Sequence, residues 1–267
     1  MTVTAALVKE LRERTGLGMM ECKNALVESQ GDIELAIENL RKSGQAKAAK
    51  KAGRIAAEGI IQIESAEGVA VMIEINSETD FVSRDANFMD FAKKVGQVAL
   101  AGKVQSIADL QGLTYSDNQN VETARQALVQ KIGENIQLRR LTRLEAPVVG
   151  HYLHNGRIGV LVGLAEGDVA VTRELGMHIA ALNPMVVEGS EISADILAKE
   201  REIYTEQANQ SGKPEAIVAK MVEGRVQKFM AEVSLVEQGF VKDPETKVKD
   251  VLKKANAKGV RFVRFEV

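Results

Sequence analysis

Gly68-Val69-Ala70-Val71-Met72-Ile73-Glu74-Ile75, running on into Asn76-Ser77-Glu78-Thr79-Asp80-Phe81-Val82, is the stretch on which the reading of the fold turns. Its first half sets Val69, Val71, Ile73 and Ile75 on one face at strand spacing. Asn76 to Asp80 then supplies residues that favour turns and helix starts, so the strand stops before Phe81. Downstream, Phe88, Phe91, Ala92, Val95 and Val98 recur at helical spacing, and Thr79 to Arg84 must bridge a strand and an amphipathic helix. An aromatic side chain is left in polar surroundings, where it reads as an exposed wedge. The alternative is that Phe81 folds back onto the core and Asp80 only caps a turn, because apolar residues after a strand usually pack inward.

The same pattern occurs twice. Gly159-Val160-Leu161-Val162-Gly163-Leu164 echoes Gly68 to Ile73, and each is followed by a polar break and a helix containing Val95-Gly96 or Leu175-Gly176. A strand precedes each copy, Ala57 to Glu64 before the first and Arg139 to His151 before the second, the latter interrupted at Pro147. Two related α+β units follow from this. The second copy has Ala165-Glu166-Gly167-Asp168 where the first has Asn76 to Val82, with no aromatic residue. A packing residue of a shared fold should have an apolar counterpart, so the difference favours a special role for the Phe81 loop.

Before the repeat, residues 1 to 43 read as three short helices. Val3, Leu7 and Leu11 line the first; Thr15-Gly16-Leu17-Gly18 breaks it; Met19, Cys22 and Leu26 line the second; Asp32 can cap a third bearing Ile33, Ala36, Ile37 and Leu40. The arrangement resembles the ubiquitin-associated (UBA-like) type of small domain. Met19 and Met20 point about 100° apart on a helix, so one of them should be exposed, where a flexible thioether suits a protein contact. Val121, Ala124, Leu128 and Ile132 mark a helix between the copies. Glu188 to Asn209 and Pro214 to Val233 read as two helices reversed at Ser211-Gly212-Lys213-Pro214. Their thin stripes, Ile192, Ile196 and Ile203 against Val218, Val222, Val226 and Phe229, suit a projecting, coiled-coil-like antiparallel hairpin. A helix at Val248, Val251 and Leu252 and a strand from Val260 to Val267 close the chain.

The expected fold class is α+β: an N-terminal three-helix UBA-like domain, a duplicated α+β core with small antiparallel sheets, and a protruding antiparallel helical hairpin. The expected divisions are 1–53 for the helical domain and its linker, 54–138 for the first core subdomain, 139–187 with 232–267 for the second, and 188–231 for the hairpin.

With 267 residues, 45% of them hydrophobic, the chain can bury real cores. Aromatics are only 4% and Trp is absent, so those cores must be aliphatic. Thirty-five Lys and Arg against 37 Asp and Glu leave no global field for a polyanion. The best local basic patch is Lys47, Lys50, Lys51 and Arg54, which an Ala-rich solvated helix explains at least as well and which no aromatic interleaves for base stacking. Cys22 is the single cysteine, which excludes an internal disulfide and fits a reducing compartment. Neither a cationic leader nor an apolar run of spanning length is present, so a cytoplasmic protein without a membrane partner is expected.

No enzyme site declares itself. His151 and His154 are three apart in a strand-like stretch and point to opposite faces, and His178 sits alone in an apolar helix. Cys22 lacks a patterned metal-binding partner. Gly212-Lys213-Pro214 lacks the upstream glycine and the Ser/Thr of a nucleotide loop. Neither cofactor, metal nor directly bound nucleotide is expected.

Several blocks in order carry a resemblance to a known family. Leu11 to Gly16, Met19 to Leu26, Ala48 to Gly53 and Thr79-Asp80-Phe81-Val82 are joined by Lys131 to Ile136, Arg157 to Val160 and Met177 to Ala181. Val222 to Arg225, Ser234 to Val236 and Arg264 to Val267 complete the series. Together they resemble the bacterial translation elongation factor Ts family across essentially the whole chain. The resemblance implies a guanine-nucleotide exchange factor for the GTPase elongation factor Tu, with no catalytic chemistry of its own. It implies that Thr79, Asp80, Phe81 and Val82 form the loop tied to displacing Mg²⁺ from the GTPase. It also implies that Arg12, Met19, Met20 and Lys23 of the N-terminal domain meet that partner, and it leaves the hairpin as a candidate for a further protein contact. Family members commonly continue beyond the Phe-Glu-Val segment into a Gly-Glu-Gly stretch and a terminal helix that adds a second partner contact. Two other readings stay open: residues 1 to 43 as a recognition module for something else, and Lys47 to Arg54 as an RNA contact.

Overall fold

The computed structural model describes residues 3–117, 119–210 and 212–267. The chain forms two units: one runs to Glu64 and resumes from Val71 to Arg143, and the other comprises Ser65–Ala70 and Leu144–Glu266. Helices and small sheets make up both, and the class is α+β.

The first unit opens with α1 (Ala5–Thr15), α2 (Met19–Glu28) and α3 (Ile33–Lys51). Thr4 caps α1 by accepting the Leu7 N–H, and Asp32 caps α3 by accepting the Leu35 N–H at 3.0 Å. Val8, Leu11, Leu17, Cys22, Ala25, Leu26, Ala36 and Leu40 form the core of these helices. Two details differ from the helical spacing read above. Val8 shares the α1 line with Leu11 while Leu7 is only partly covered, and Met19 faces solvent instead of lining α2. The third helix also continues through the expected linker, so that Ala48 joins the core of the next element set.

That set begins with β1 (Glu58–Ala66) and β2 (Val69–Ser77), a hairpin about Glu67-Gly68. It continues through α4 (Asp80–Ser83), α5 (Ala86–Gly102), α6 (Ile107–Gly112), the short pair β3 (Thr114–Ser116) and β4 (Gln119–Asn120), α7 (Val121–Ile132) and β5 (Gln137–Glu145). The sheet order is β1-β2-β5. Val71, Ile73 and Ile75 of β2 pack against Phe88, Phe91, Ala92, Val95 and Ala99 of α5 and Val121, Ala124, Leu128 and Val129 of α7.

The second unit contains β6 (Val148–His154), β7 (Ile158–Leu164), α8 (Val169–Leu182), α9 (Ala194–Asn209), α10 (Glu215–Val233), β8 (Gly239–Phe240), β9 (Asp243–Lys247), α11 (Val248–Lys254) and β10 (Arg261–Glu266). Its sheet is antiparallel in the order β10-β7-β6, with both His151 and Val263 opposite Leu161. Arg139 to His151, read as one strand of the second copy, is therefore two strands. Gln137–Glu145 pairs with β2, and only from Val148 does the chain join β7. The change falls at Pro147, which has no N–H to offer a ladder. Where α9 and α10 pack together, α9 contributes the buried Ala208 with the partly buried Leu197 and Tyr204, whereas Ile203 is exposed. Ser211 of the connecting turn lies outside the described residues.

The two copies share a physical signature. Each central strand, β2 or β7, feeds a helix, α5 or α8, that lies close over its hairpin at a glycine. A Cβ on Gly96 would meet the Glu64 side chain at 2.8 Å, and one on Gly176 would meet the Tyr152 Cβ at 2.8 Å. His178 on α8 is fully buried. Its Nδ1 accepts the Val241 N–H at 3.1 Å, so its Nε2 carries the proton and donates to Gln238 Oε1 at 2.9 Å. Burial pushes its pKa below the usual imidazole value of 6.5, with the Gln238 hydrogen bond opposing.

Candidate functional site

Strand β2 ends at Ser77 and Asp85 caps α5, accepting the N–H groups of Asn87 at 2.8 Å and Phe88 at 3.3 Å. Hydrogen bonds from Asn87, its side chain first, hold the Asp85 carboxyl below the ordinary range. Between these fixed points lies the loop singled out in the sequence. Phe81 is 81% exposed, so it does not fold back onto the core. Its neighbour Val82 does face inward, packed in the core beneath α5. Of the four residues Thr79, Asp80, Phe81 and Val82, one is presented and one is an anchor.

The other two hold the turn. Asp80 pairs with Arg84 across one turn at 3.0 Å, both side chains partly exposed, and its carbonyl accepts the Ser83 hydroxyl at 2.7 Å. Thr79 begins α4 without the customary side-chain cap, because its hydroxyl donates at 2.7 Å to Glu134 Oε1. Glu134 Oε2 also accepts the main-chain N–H groups of Glu78 at 3.1 Å and Thr79 at 3.0 Å. In return, the Glu78 carboxylate accepts the Asn135 N–H at 2.6 Å and pairs with Arg54 at 3.5 Å. The Asn135 side-chain amide then donates to the Arg54 carbonyl at 2.8 Å. Glu78 and Thr79, Glu134 and Asn135, and Arg54 after α3 are thereby stitched into one junction.

The N-terminal residues form a second surface. Arg12, Met19, Met20 and Lys23 come together around a groove of about 630 Å³, whose remaining lining is Val3, Thr4, Ala5, Val8 and Lys9. Met19 is 59% and Met20 64% exposed, so both methionines face solvent, where sequence spacing assigned only one outward. They occupy the first turn of α2, and the inward line begins only at Cys22 and continues through Ala25 and Leu26. Glu21, between them and that line, accepts from Lys47 at 2.5 Å and from Gln130 of α7 at 2.7 Å, which ties α2 to the rest of the unit. Burial raises the Glu21 pKa, but these two hydrogen bonds and the Lys47 charge outweigh it, and the net shift is downward.

Three of the four cations in the basic patch are engaged within the unit: Lys47 with Glu21, Arg54 with Glu78, and Lys51 with the carbonyl of Gly133. Among the described residues no group of three His, Cys, Asp or Glu side chains is placed to hold a metal ion. No helix there is long and apolar enough to cross a membrane.

Sequence reasoning missed three contributors. Glu134 and Asn135 act on a loop more than fifty residues away, a proximity that no local pattern encodes. Ile55 is 85% exposed beside Arg54, at the same junction as the Phe81 loop; a lone apolar residue just ahead of a strand was its only signal.

A family model described as Elongation factor TS matches residues 78–267. Among curated relatives, an elongation factor Ts from Alcanivorax borkumensis is 57% identical over 98% of this chain and 93% of its own length. One from Pseudoalteromonas atlantica is 56% identical over 100% of this chain and 92% of its own. One from Arthrospira platensis is 60% identical over 90% of this chain and 99% of its own.

Proposed function

The chain belongs to the elongation factor Ts family and is a translation elongation factor; from that premise we propose that it is a guanine-nucleotide exchange factor acting on the GTPase elongation factor Tu. The observation that carries this reading is an exposed aromatic side chain on a loop fixed at both of its ends. Phe81 enters the GTPase near its Mg²⁺ and phosphate site, while the groove of Arg12, Met19, Met20 and Lys23 holds the partner. The protein itself binds no nucleotide and works in the cytoplasm.

The mechanism follows from linkage. If the factor binds the empty GTPase more tightly than the GDP-bound one, GDP must weaken the factor by the same free energy. Docking energy is thus what expels the nucleotide. Burying one Phe contributes about 1.5 to 3 kcal/mol, whereas inverting a 1:99 population takes about 5.5 kcal/mol. Phe81 alone is insufficient, and the methionine groove supplies part of the remainder. Methionine suits that task because its thioether chain adapts to the surface it meets. Arg12 and Lys23 at the groove rim add orientation through charge.

Release of a fluorescent GDP analogue from purified elongation factor Tu tests the reading. Addition of the protein should accelerate release steeply, and Phe81→Ala should blunt that acceleration. An unchanged release rate with the intact protein would remove the proposed function.

A further inference from the structure

The exchange reading assigns the wedge but leaves open what aims it. A helix of four residues cannot hold itself, since forming the first turn of a helix fixes several dihedrals for a single hydrogen bond. The direction of Phe81 therefore depends on what fixes the chain on either side. On the far side the anchor is Val82, in the core. On the near side the Ser77 hydroxyl donates to the Thr79 carbonyl at 2.9 Å, and the chain hangs chiefly on one carboxylate, Glu134, on which three donors converge: two main-chain N–H groups and the Thr79 hydroxyl.

The carboxylate reaches that position because of how α7 ends. Gly133 caps the helix in the left-handed region, at φ 89°, a conformation that costs glycine little. The chain turns there, and Glu134 is delivered to the loop. The next residue, Asn135, returns its own N–H to the Glu78 carboxylate. The two segments thus exchange carboxylates for amides, so neither can shift without breaking bonds of the other.

We propose that Glu134 is a positioning residue for nucleotide exchange, holding the backbone at Glu78 and Thr79 so that Phe81 projects in one direction. The proposal rests on the exchange reading and deepens it. Glu134 makes no contact with the partner in this account; it acts through Phe81. Preorganisation of this kind saves the cost of ordering the loop at the moment of docking. Without the carboxylate, Phe81 is still exposed but samples several directions, few of them productive.

The experiment is GDP release from elongation factor Tu at saturating and sub-saturating factor, with Phe81→Ala, Glu134→Ala, Glu134→Gln, Thr79→Val and the double variant Phe81→Ala/Glu134→Ala. Glu134→Ala should lower the saturating rate about tenfold and move the half-saturating concentration by less than about threefold, because the groove contacts are untouched. Glu134→Gln keeps an acceptor oxygen for the two N–H groups and should recover most of the rate. In the Phe81→Ala background the further loss of Glu134 should change nothing, because a residue that only aims a side chain has no role once that side chain is gone. Thr79→Val removes one hydrogen bond and nothing else, and it keeps the test open should Glu134→Ala fail to fold. It should cost about two- to threefold in the saturating rate, again only when Phe81 is present.

An unchanged rate in both Glu134→Ala and Thr79→Val overturns the proposal. So does a Glu134→Ala loss that persists in full without Phe81. In either case, acceleration by the intact protein that Phe81→Ala blunts would leave the exchange reading standing, whereas no acceleration by the intact protein would remove that reading itself.

Discussion

Between the end of the central strand and the aspartate that caps the next helix, the first α+β copy has seven residues, Glu78 to Arg84, where the second has three, Ala165 to Gly167. The rest of the connection is alike. Asp85 and Asp168 cap α5 and α8, each accepting the main-chain N–H two residues on at 2.8 Å, and Asp85 also accepts that of Phe88 at 3.3 Å. The four extra residues match the length of α4, Asp80–Ser83, the turn that carries Phe81. The two loops are also held differently. The first hangs on the Glu134 carboxylate, whereas the second is tied by main-chain bonds between Glu166 and Lys258 and by their ion pair at 2.7 Å. Two connections of the same kind, each closed by a capping aspartate, thus carry loops of different length, and each loop is braced by a partner distant in the chain.

The largest expected effect tests the difference directly. Phe81→Ala should lower the saturating rate of GDP release by about ten- to a hundredfold, the range set by losing the burial of one Phe. Just past the second loop, the first residue of α8 is also apolar and open, Val169 at 59% exposed; if exposure alone sufficed, Val169→Ala would do comparable damage, and a tenfold loss there would break the comparison.

Next in size is the division of labour within the first unit. Replacing Met19 and Met20 together by Ser should raise the half-saturating concentration about tenfold and leave the saturating rate within about twofold, because these side chains supply docking area and not direction. A matching fall in the saturating rate would merge the two surfaces into one. Smaller again, Asp168→Ala should cost about 1 kcal/mol of stability, read from urea unfolding, with exchange unchanged. An exchange defect there would give the second loop a role that its geometry does not suggest.

The pH dependence of His178 belongs to the scaffold of the second unit. Its folded pKa is depressed below 6.5, so beneath that pH the unfolded chain binds the proton first. Stability should be intact above about pH 6.5 and decline as pH falls towards the folded value. The decline should be shallower in His178→Gln, measured by denaturant unfolding across that window.

Much of this architecture was legible in the residues. Val71, Ile73 and Ile75 alternate because one face of β2 meets helices, and Phe88, Phe91, Ala92 and Val95 repeat because α5 answers it. The duplication could be read from the recurrence of an apolar strand, a polar break and a glycine-bearing helix. The strand boundary at Pro147 was harder. The pattern marked an interruption but not that β5 would pair with β2, because strand partnership depends on chain reversal far from either strand. Met19 was misread for a related reason: helical spacing gives the angle of a side chain, while the neighbours that cover it come from other helices. Ile203 fails in the same way on α9, where Leu197 and Tyr204 meet α10 instead.

By itself, the order of residues determined that Phe81 would lie outside any regular apolar pattern, that strand must give way to helix around it, and that Met19, Met20 and their basic neighbours would share a short helical module. These are properties of neighbours along the chain, fixed by backbone geometry and side-chain periodicity. Only the tertiary structure decided that Glu134 would reach Thr79, that Val82 would anchor while Phe81 projects, and that Arg12, Met19, Met20 and Lys23 would line one groove. Those relations arise when distant segments are packed together, and a carboxylate acquires its role from whichever donors that packing brings to it.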